Sequence, residues 1–362
     1  MSESATASAP AKTQPKAKKN RLSSGFFRFV LTRFLLIIPT VFILVTIVFF
    51  VMRATGDPIS AAMGGRLTPE ELQRRIHAAG YDRPLVVQYL DYLGGLLRGD
   101  LGTTLTDNQP VTTILTRYGA ATFELAFLSL IVALIVGIGL GRLAARRRDH
   151  AADAGIRVFA ILCYATPVFF LGLMLKLVFA VWLNVLPPSG RSSFASDMQF
   201  QRLVSPTGFY IIDAFQLCDM SVAVDVLRHA VLPALALGLL TAGVFIRLVR
   251  TNVISTYTSG YVEAARSRGV SEGRLLSKHA WRPAMIPIIT VMGMQIALML
   301  AGAVLTETTF EWKGLGFMLS QYLKQRDFVA VQGIVILIAI IVAVVNFIVD
   351  VISALIDPRV RY

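Results

Sequence analysis

Long apolar runs alternate with polar segments along the whole chain. Runs near 29–51, 120–140, 158–182, 229–248, 283–304 and 331–356 are each long enough to cross a bilayer, which takes about 20 mostly apolar residues in a helix. They predict an all-α polytopic membrane protein with six transmembrane helices. A cleaved leader is the rival reading of residues 26–51. Its apolar run is too long for a leader, and no small-residue cleavage pattern follows it, so a retained span is expected. Composition agrees with the pattern. The chain is 55% hydrophobic and 16% charged, with a mean hydropathy of +0.65, whereas soluble domains carry roughly 25% charged residues.

The net charge of +13 invites a nucleic-acid role, but its distribution argues against one. Segments 1–33, 142–157, 247–282 and 357–362 together hold 21 Lys/Arg and 6 acidic residues. The alternate segments, 53–118, 183–228 and 305–330, hold 13 and 14. Positive charge flanking spans marks the cytoplasmic side, so both termini are expected inside, and the partner implied is a lipid bilayer with no nucleic acid. Cys163 falls in a span and Cys218 in an external loop, so no disulfide framework is expected.

Three regions follow. Residues 1–25 form a basic tail with almost no large apolar groups, expected to be disordered because it cannot bury enough surface to offset ordering. Residues 26–118 comprise the first span and a long external segment. There Thr68 and Pro69 start a helix, with Glu70 and Glu71 in its first turn. Leu67, Leu72 and Ile76 line one side of it, and Gly99-Asp-Leu-Gly102 reads as a turn. Residues 119–362 carry the other five spans.

Some residues within the spans stand out. Gly137, Gly139 and Gly141 end the second span and favour close helix packing. Pro167 and Pro233 interrupt apolar runs, and Pro283 and Pro287 open the fifth; proline there kinks a helix and frees a carbonyl. Glu124, Lys176 and Asp350 are the ionisable residues within or at the ends of spans. Such groups either serve a translocation path or are satisfied structurally, Glu124 and Asp350 near an interface and Lys176 by reaching toward the external face.

Between the fourth and fifth runs lies a polar, helix-prone insert at about 251–281. A first helix near 258–268 sets Tyr261 and Ala265 on one face, with Val262 beside Ala265. Gly269 suits a left-handed helix end, and Ser271 suits the cap of a second short helix. On the cytoplasmic side this insert is either a handle for a soluble partner or an amphipathic loop resting on the membrane. The chain has no Gly-Lys pair, hence no phosphate loop of its own, and energy must come from a partner or an ion gradient. An ion-coupled carrier would favour repeated halves and broken-helix ion sites, neither of which is evident. His77, His150, His229 and His279 are scattered, with no metal-spaced cluster or nucleophile–base set to suggest an enzyme.

The segment Glu263-Ala-Ala-Arg-Ser-Arg-Gly269 resembles the EAA motif of permease subunits of bacterial ABC importers. The step from Gly269 to His279 and Pro287 is similar to the dipeptide/oligopeptide/nickel branch. Gly56-Asp-Pro58, Asp82-Arg-Pro84, Pro187-Pro-Ser-Gly190, His229 with Pro233, Arg326-Asp327, Gln332-Gly333 and the ending Asp357 to Tyr362 extend the resemblance over about 26–362. It implies a type I importer (MetI-like) permease fold, N-in and C-in, forming half of a translocation path. It implies a second homologous permease subunit, an external substrate-binding protein, and two ATPase subunits that bind ATP and Mg, this chain holding no cofactor and catalysing no reaction. Tyr261, Val262, Glu263, Ala264, Ala265 and Gly269 would dock an ATPase. Peptide is the cargo it implies first, with nickel, glutathione or haem as alternatives. Lys176 and the length of 191–226 depart from the branch's usual pattern.

Overall fold

The computed structural model describes residues 21–356 except 64, 66 and 204. In chain order its helices are α1 (Arg21–Ala54), α2 (Pro58–Met63), α3 (Pro69–Ala78), α4 (Leu85–Leu97), α5 (Val111–Arg146), α6 (Ala151–Ala165), α7 (Val168–Leu175), α8 (Phe194–Phe200), α9 (Tyr210–Gln216), α10 (Met220–Tyr257), α11 (Gly260–Ser267), α12 (Glu272–Arg274), α13 (Trp281–Phe310), α14 (Leu315–Lys324) and α15 (Phe328–Ile356). Residues 1–20 of the expected basic tail and the ending 357–362 lie outside the described residues. Residues 21–25 already belong to α1, so the tail's expected boundary is too late.

Four helices, within α1, α5, α10 and α15, are long and apolar enough to cross a membrane unaided. The expected third span is not one helix. α6 and α7, the latter extended by a π-helical turn over Lys176–Trp182, meet at 108°, and the break falls at Thr166–Pro167, where proline disfavours helix in the residue before it. Helix α10 measures what this pair does. Near its start Arg228 donates to the Val185 carbonyl at 2.8 Å; near its end Arg250 clamps Asp153. At about 1.5 Å per residue, α10 between these two arginines is roughly 33 Å long, a full hydrocarbon thickness of about 30 Å. The broken pair therefore traverses the same slab as α10. The fifth span stays within α13 but bends by 45° at Pro287, the kink expected of a proline there, whereas Pro233 leaves α10 unbroken.

Further contacts fix the two levels. On the arginine-rich side Arg33 of α1 meets Asp350 of α15 at 3.4 Å, and Arg142 of α5 lies over the Trp281 ring. On the opposite side Phe49 of α1 stacks on Tyr92 of α4, Val111 abuts Gly333 at the starts of α5 and α15, and Gly190 donates to the Phe310 carbonyl at the end of α13. Each crossing thus begins and ends where charge places it, and α1 starts on the side where α15 ends.

α5 and α10 run parallel and nearly touch. A Cβ on Gly137 would lie 2.5 Å from Phe245 Cβ, and one on Gly141 2.7 Å from Val249 Cβ. α10 answers with Gly238 against the Ser129 carbonyl and Gly243 against that of Ala160 in α6. Gly139, grouped with its neighbours by sequence, has open space beside it, since only positions four apart share this face. Gly141→Ala is expected to lower the stability of the purified protein by roughly 1–3 kcal/mol, the cost of overpacking, while Gly139→Ala leaves it unchanged. Equal thermal midpoints for the two variants would count against this packing.

The external segment folds as its sequence suggests. Thr68 Oγ1 accepts from Glu71 N, Ile76 is buried, and Gly99 and Gly102 take φ of +79° and +82°. Residues 103–110 return to the bundle, where buried Asp327 accepts from Leu105 N, Thr106 N and Thr106 Oγ1 and also from Ala330 N at the start of α15.

Candidate functional site

The cytoplasmic insert is compact. Ser259 precedes α11 in extended backbone. At its other end Val270 N donates to the Ala265 carbonyl and Gly269 N to that of Arg266, the paired bonds of a Schellman ending, with Gly269 at φ +81°. Any other residue there costs roughly 1–2 kcal/mol. The expected second short helix is not separate. α12 is a single turn that passes through a π-helical turn, Leu275–Ala280, directly into α13. Ser271 heads it in extended conformation, but its side chain makes no cap bond; its carbonyl accepts from Arg274 and Leu275 instead.

Val262 is fully buried. The structure thus separates it from the other residues expected to dock a partner: it anchors α11 to the protein, as do Leu275 and Ala280 from the π-turn side, and offers nothing to an outside surface. Tyr261, Glu263, Ala264 and Gly269 are exposed and Ala265 is half-buried, leaving a small-residue surface with one aromatic ring at its edge. The Tyr261 hydroxyl reaches the His279 carbonyl at 3.4 Å. A second clasp closes the loop. Glu272 accepts from Arg266 Nε at 2.8 Å and from the Tyr257 hydroxyl, and the Arg266 guanidinium lies over the Tyr257 ring. The Arg266 bond holds the Glu272 carboxyl below its usual range. A depressed carboxylate pKa supplies stability above the unfolded value that is lost as pH falls through the folded one, so the clasp is closed at neutral pH.

At the external end, buried polar residues converge between α5, α13 and the segment before α10. Glu124, in α5, accepts from Arg191 Nη2 at 2.5 Å and from Ile211 N at 2.8 Å. Arg191 is 8% exposed; it also donates to the Gly208 carbonyl at 3.0 Å and stacks on the Tyr210 ring. Beside this pair Glu307 is buried in the last turn of α13, taking hydrogen bonds from Thr122 Oγ1 at 2.7 Å and Phe317 N at 2.9 Å. Gly314 is needed there, since a Cβ would come within 2.5 Å of the carboxylate. Asp213 braces the same region by accepting from Thr207 and Gly208.

The ionisable residues of the spans do not converge on one path. Glu124 is held by Arg191, Lys176 donates to the Thr309 carbonyl at 2.9 Å, and Asp350 pairs with Arg33. Lys176 reaches the external end of α13, the direction expected for its long side chain. The sequence reading missed Arg191, Glu307 and the Asp153–Arg250 pair. Arg191 follows the Pro187-Pro-Ser-Gly190 turn and Glu307 ends an apolar run, so both look like loop residues until the fold buries them. Next to this network an external cavity of about 570 Å³ is lined by Arg117, Arg191, Asp197, Tyr210, Glu311 and Lys313 among others, within the range of roughly 300–1,000 Å³ for small-molecule sites.

Comparison with known proteins follows the same outline. Residues 137–362 match the family described as binding-protein-dependent transport system inner membrane component, and residues 26–125 match its N-terminal counterpart. The di/tripeptide transport system permease protein DppB of Pseudomonas aeruginosa is 37% identical over 336 residues, covering 92% of this chain and 98% of that protein. The dipeptide transport system permease protein DppB of Escherichia coli is 37% identical over 338 residues, covering 92% and 99%. The Haemophilus influenzae protein of that name is 36% identical over 339 residues, covering 93% and 100%. Among solved structures, an inward-facing form of the MetNI methionine ABC transporter covers 68% of this chain and 97% of that chain at a TM-score of 0.49 and 15% identity.

Proposed function

The chain belongs to the family of binding-protein-dependent transport system inner membrane components, and from that premise we propose that it forms half of an ATP-driven translocation path for dipeptides and short oligopeptides. As a member it is a multi-pass inner-membrane permease of an ABC importer and not an enzyme. The cargo reading rests on likeness to dipeptide permeases along nine-tenths of the chain. The external cavity, with both cationic and anionic groups in its wall, suits a zwitterion.

The coupling role rests on one observation. α11 is an exposed, alanine-bearing helix whose inner side is pinned by buried Val262, whose C-terminal end is fixed by the Gly269 ending, and whose last turn is tied through the Arg266–Glu272–Tyr257 clasp to the end of α10. A surface held that firmly passes a push on Tyr261, Glu263, Ala264 and Ala265 into α10 and α13 rather than absorbing it. The pusher is an ATPase subunit, one of two, binding ATP and Mg in its own fold. The other half of the path is a second homologous permease, and an external binding protein delivers the peptide.

Reconstitution of the chain with these partners in proteoliposomes tests the reading. Dipeptide uptake is expected to require ATP, the binding protein and both ATPase subunits, and to be indifferent to ionophores. Uptake driven by an ion gradient without ATPase subunits would refute it; uptake of nickel, glutathione or haem in place of peptide would refute the cargo alone.

A further inference from the structure

On the cytoplasmic side, a groove between α6 and α10 is used by neither the coupling loop nor the external cavity. It encloses about 160 Å³, with Ala160, Ile161, Gly243 and Val244 in its walls and Arg157, Arg247 and Arg250 around it. Gly243 shuts the floor, because α6 and α10 meet there so closely that a Cβ would strike the Ala160 carbonyl at 2.7 Å. Asp153 balances one of these three charges and leaves a net excess of two. Arg250 occupies both of its oxygens at 2.6 and 2.7 Å, and Arg157 stands off at 3.8 Å. Arg247 has no carboxylate partner among the described residues and lies over the Tyr164 ring, 5.7 Å from its centroid.

Depth gives the groove its meaning. Arg247 and Arg250 sit where the apolar run of α10 ends, so the cations are at headgroup level and the apolar wall extends toward the hydrocarbon. Ile161 and Tyr164 are more than half exposed on that wall, a surface that is unfavourable against water and favourable against an acyl chain. We propose that this groove binds an anionic phospholipid of the cytoplasmic leaflet. Its phosphate lies between Arg157 and Arg247, and its chain runs along Ile161 and Val244. Basic pockets between transmembrane helices on this side have the chemistry for such headgroups. A free phosphate would use the cations and leave the apolar wall bare; a protein partner would have to bring carboxylates to the edge of the hydrocarbon, where they are costly. The lipid would clamp α6 to α10 at the stem from which the coupling loop projects.

The test uses the assembled transporter, delipidated and then titrated with phosphatidylglycerol or phosphatidylcholine, with retained lipid counted by native mass spectrometry. The comparison is with Arg157→Gln/Arg247→Gln, which leaves the Asp153–Arg250 pair intact, and with the charge-preserving Arg157→Lys/Arg247→Lys. Phosphatidylglycerol is expected to bind in preference to phosphatidylcholine, to lose about thirtyfold in affinity in the glutamine variant, as two basic contacts at a lipid surface predict, and to recover most of it in the lysine variant. Equal retention of both lipids, or unchanged binding in the glutamine variant, would overturn the proposal. So would displacement of the bound lipid by inorganic phosphate alone, or cross-linking of Arg247→Cys to the partner permease in place of a lipid probe. Unaltered assembly of the glutamine variant on gel filtration shows that any loss is not a folding failure; if it fails to assemble, the lysine variant's preference between the two lipids decides.

Discussion

Gly269→Pro is expected to insert and assemble like the unaltered chain and to lose peptide uptake. Proline fixes φ near −65°, whereas Gly269 sits at +81°. It also removes the N–H that binds the Arg266 carbonyl at the end of α11. The two defects together cost roughly 3 kcal/mol or more, which at about 1.4 kcal/mol per decade leaves the competent loop about a hundredfold rarer. Open space surrounds Gly269, so no clash propagates into the bundle. Uptake into proteoliposomes should therefore fall by about two orders of magnitude while the yield of assembled transporter holds. Gly269→Ala, which keeps the N–H and pays only the backbone strain, should fall by about tenfold. The two readouts together separate a coupling defect from a folding defect. Full uptake by the proline variant would mean that the shape of this loop does not matter to transport, and the lever role of α11 would be abandoned.

Periodicity and charge reveal the crossings because a bilayer imposes one length and one charge rule on every span. The helix starts at Thr68 and the turns at Gly99 and Gly102 were equally legible, since caps and left-handed glycines are local devices. Three features were not. Hydropathy cannot show that 158–182 bends at 108°, because both arms are apolar; Pro167 marks the place but gives no angle. Val262 reads as one more residue of a polar helix, and only the fold shows that it is the inward one. Arg191 and Glu124 are far apart in the chain, and their pairing depends on how residues 183–219 return over the bundle. The unexpected length of 191–226 acquires a physical role in this way. Its helices α8 and α9 pack against the start of α10 in an apolar cluster of Phe200, Ala214 and Val222, and its backbone delivers Arg191 and Ile211 to a carboxylate inside the bundle.

That delivery predicts the second large effect. Arg191→Ala is expected to destabilise the purified protein by roughly 3–5 kcal/mol, the cost of stranding one member of a buried ion pair. Glu124, 5% exposed with Arg191 in place, would keep only the Ile211 amide to answer it among the described residues, and the Gly208 carbonyl would lose its donor as well. Glu124→Gln/Arg191→Gln should recover a good part of that loss. Two neutral amides demand far less solvation than one orphaned carboxylate, and replacing both members of a buried pair is often near neutral. Thermal midpoints of the two single glutamine variants and their combination form a double-mutant cycle with an interaction energy of about 1–3 kcal/mol. Additive single and double effects would show that Arg191 and Glu124 do not act as a pair, and that residues 191–226 are held to the bundle by their apolar cluster and backbone bonds alone. A coupling of the expected size would make this salt bridge the pin between the external insert and α5, positioned so that any motion of α5 during transport has to move the insert with it.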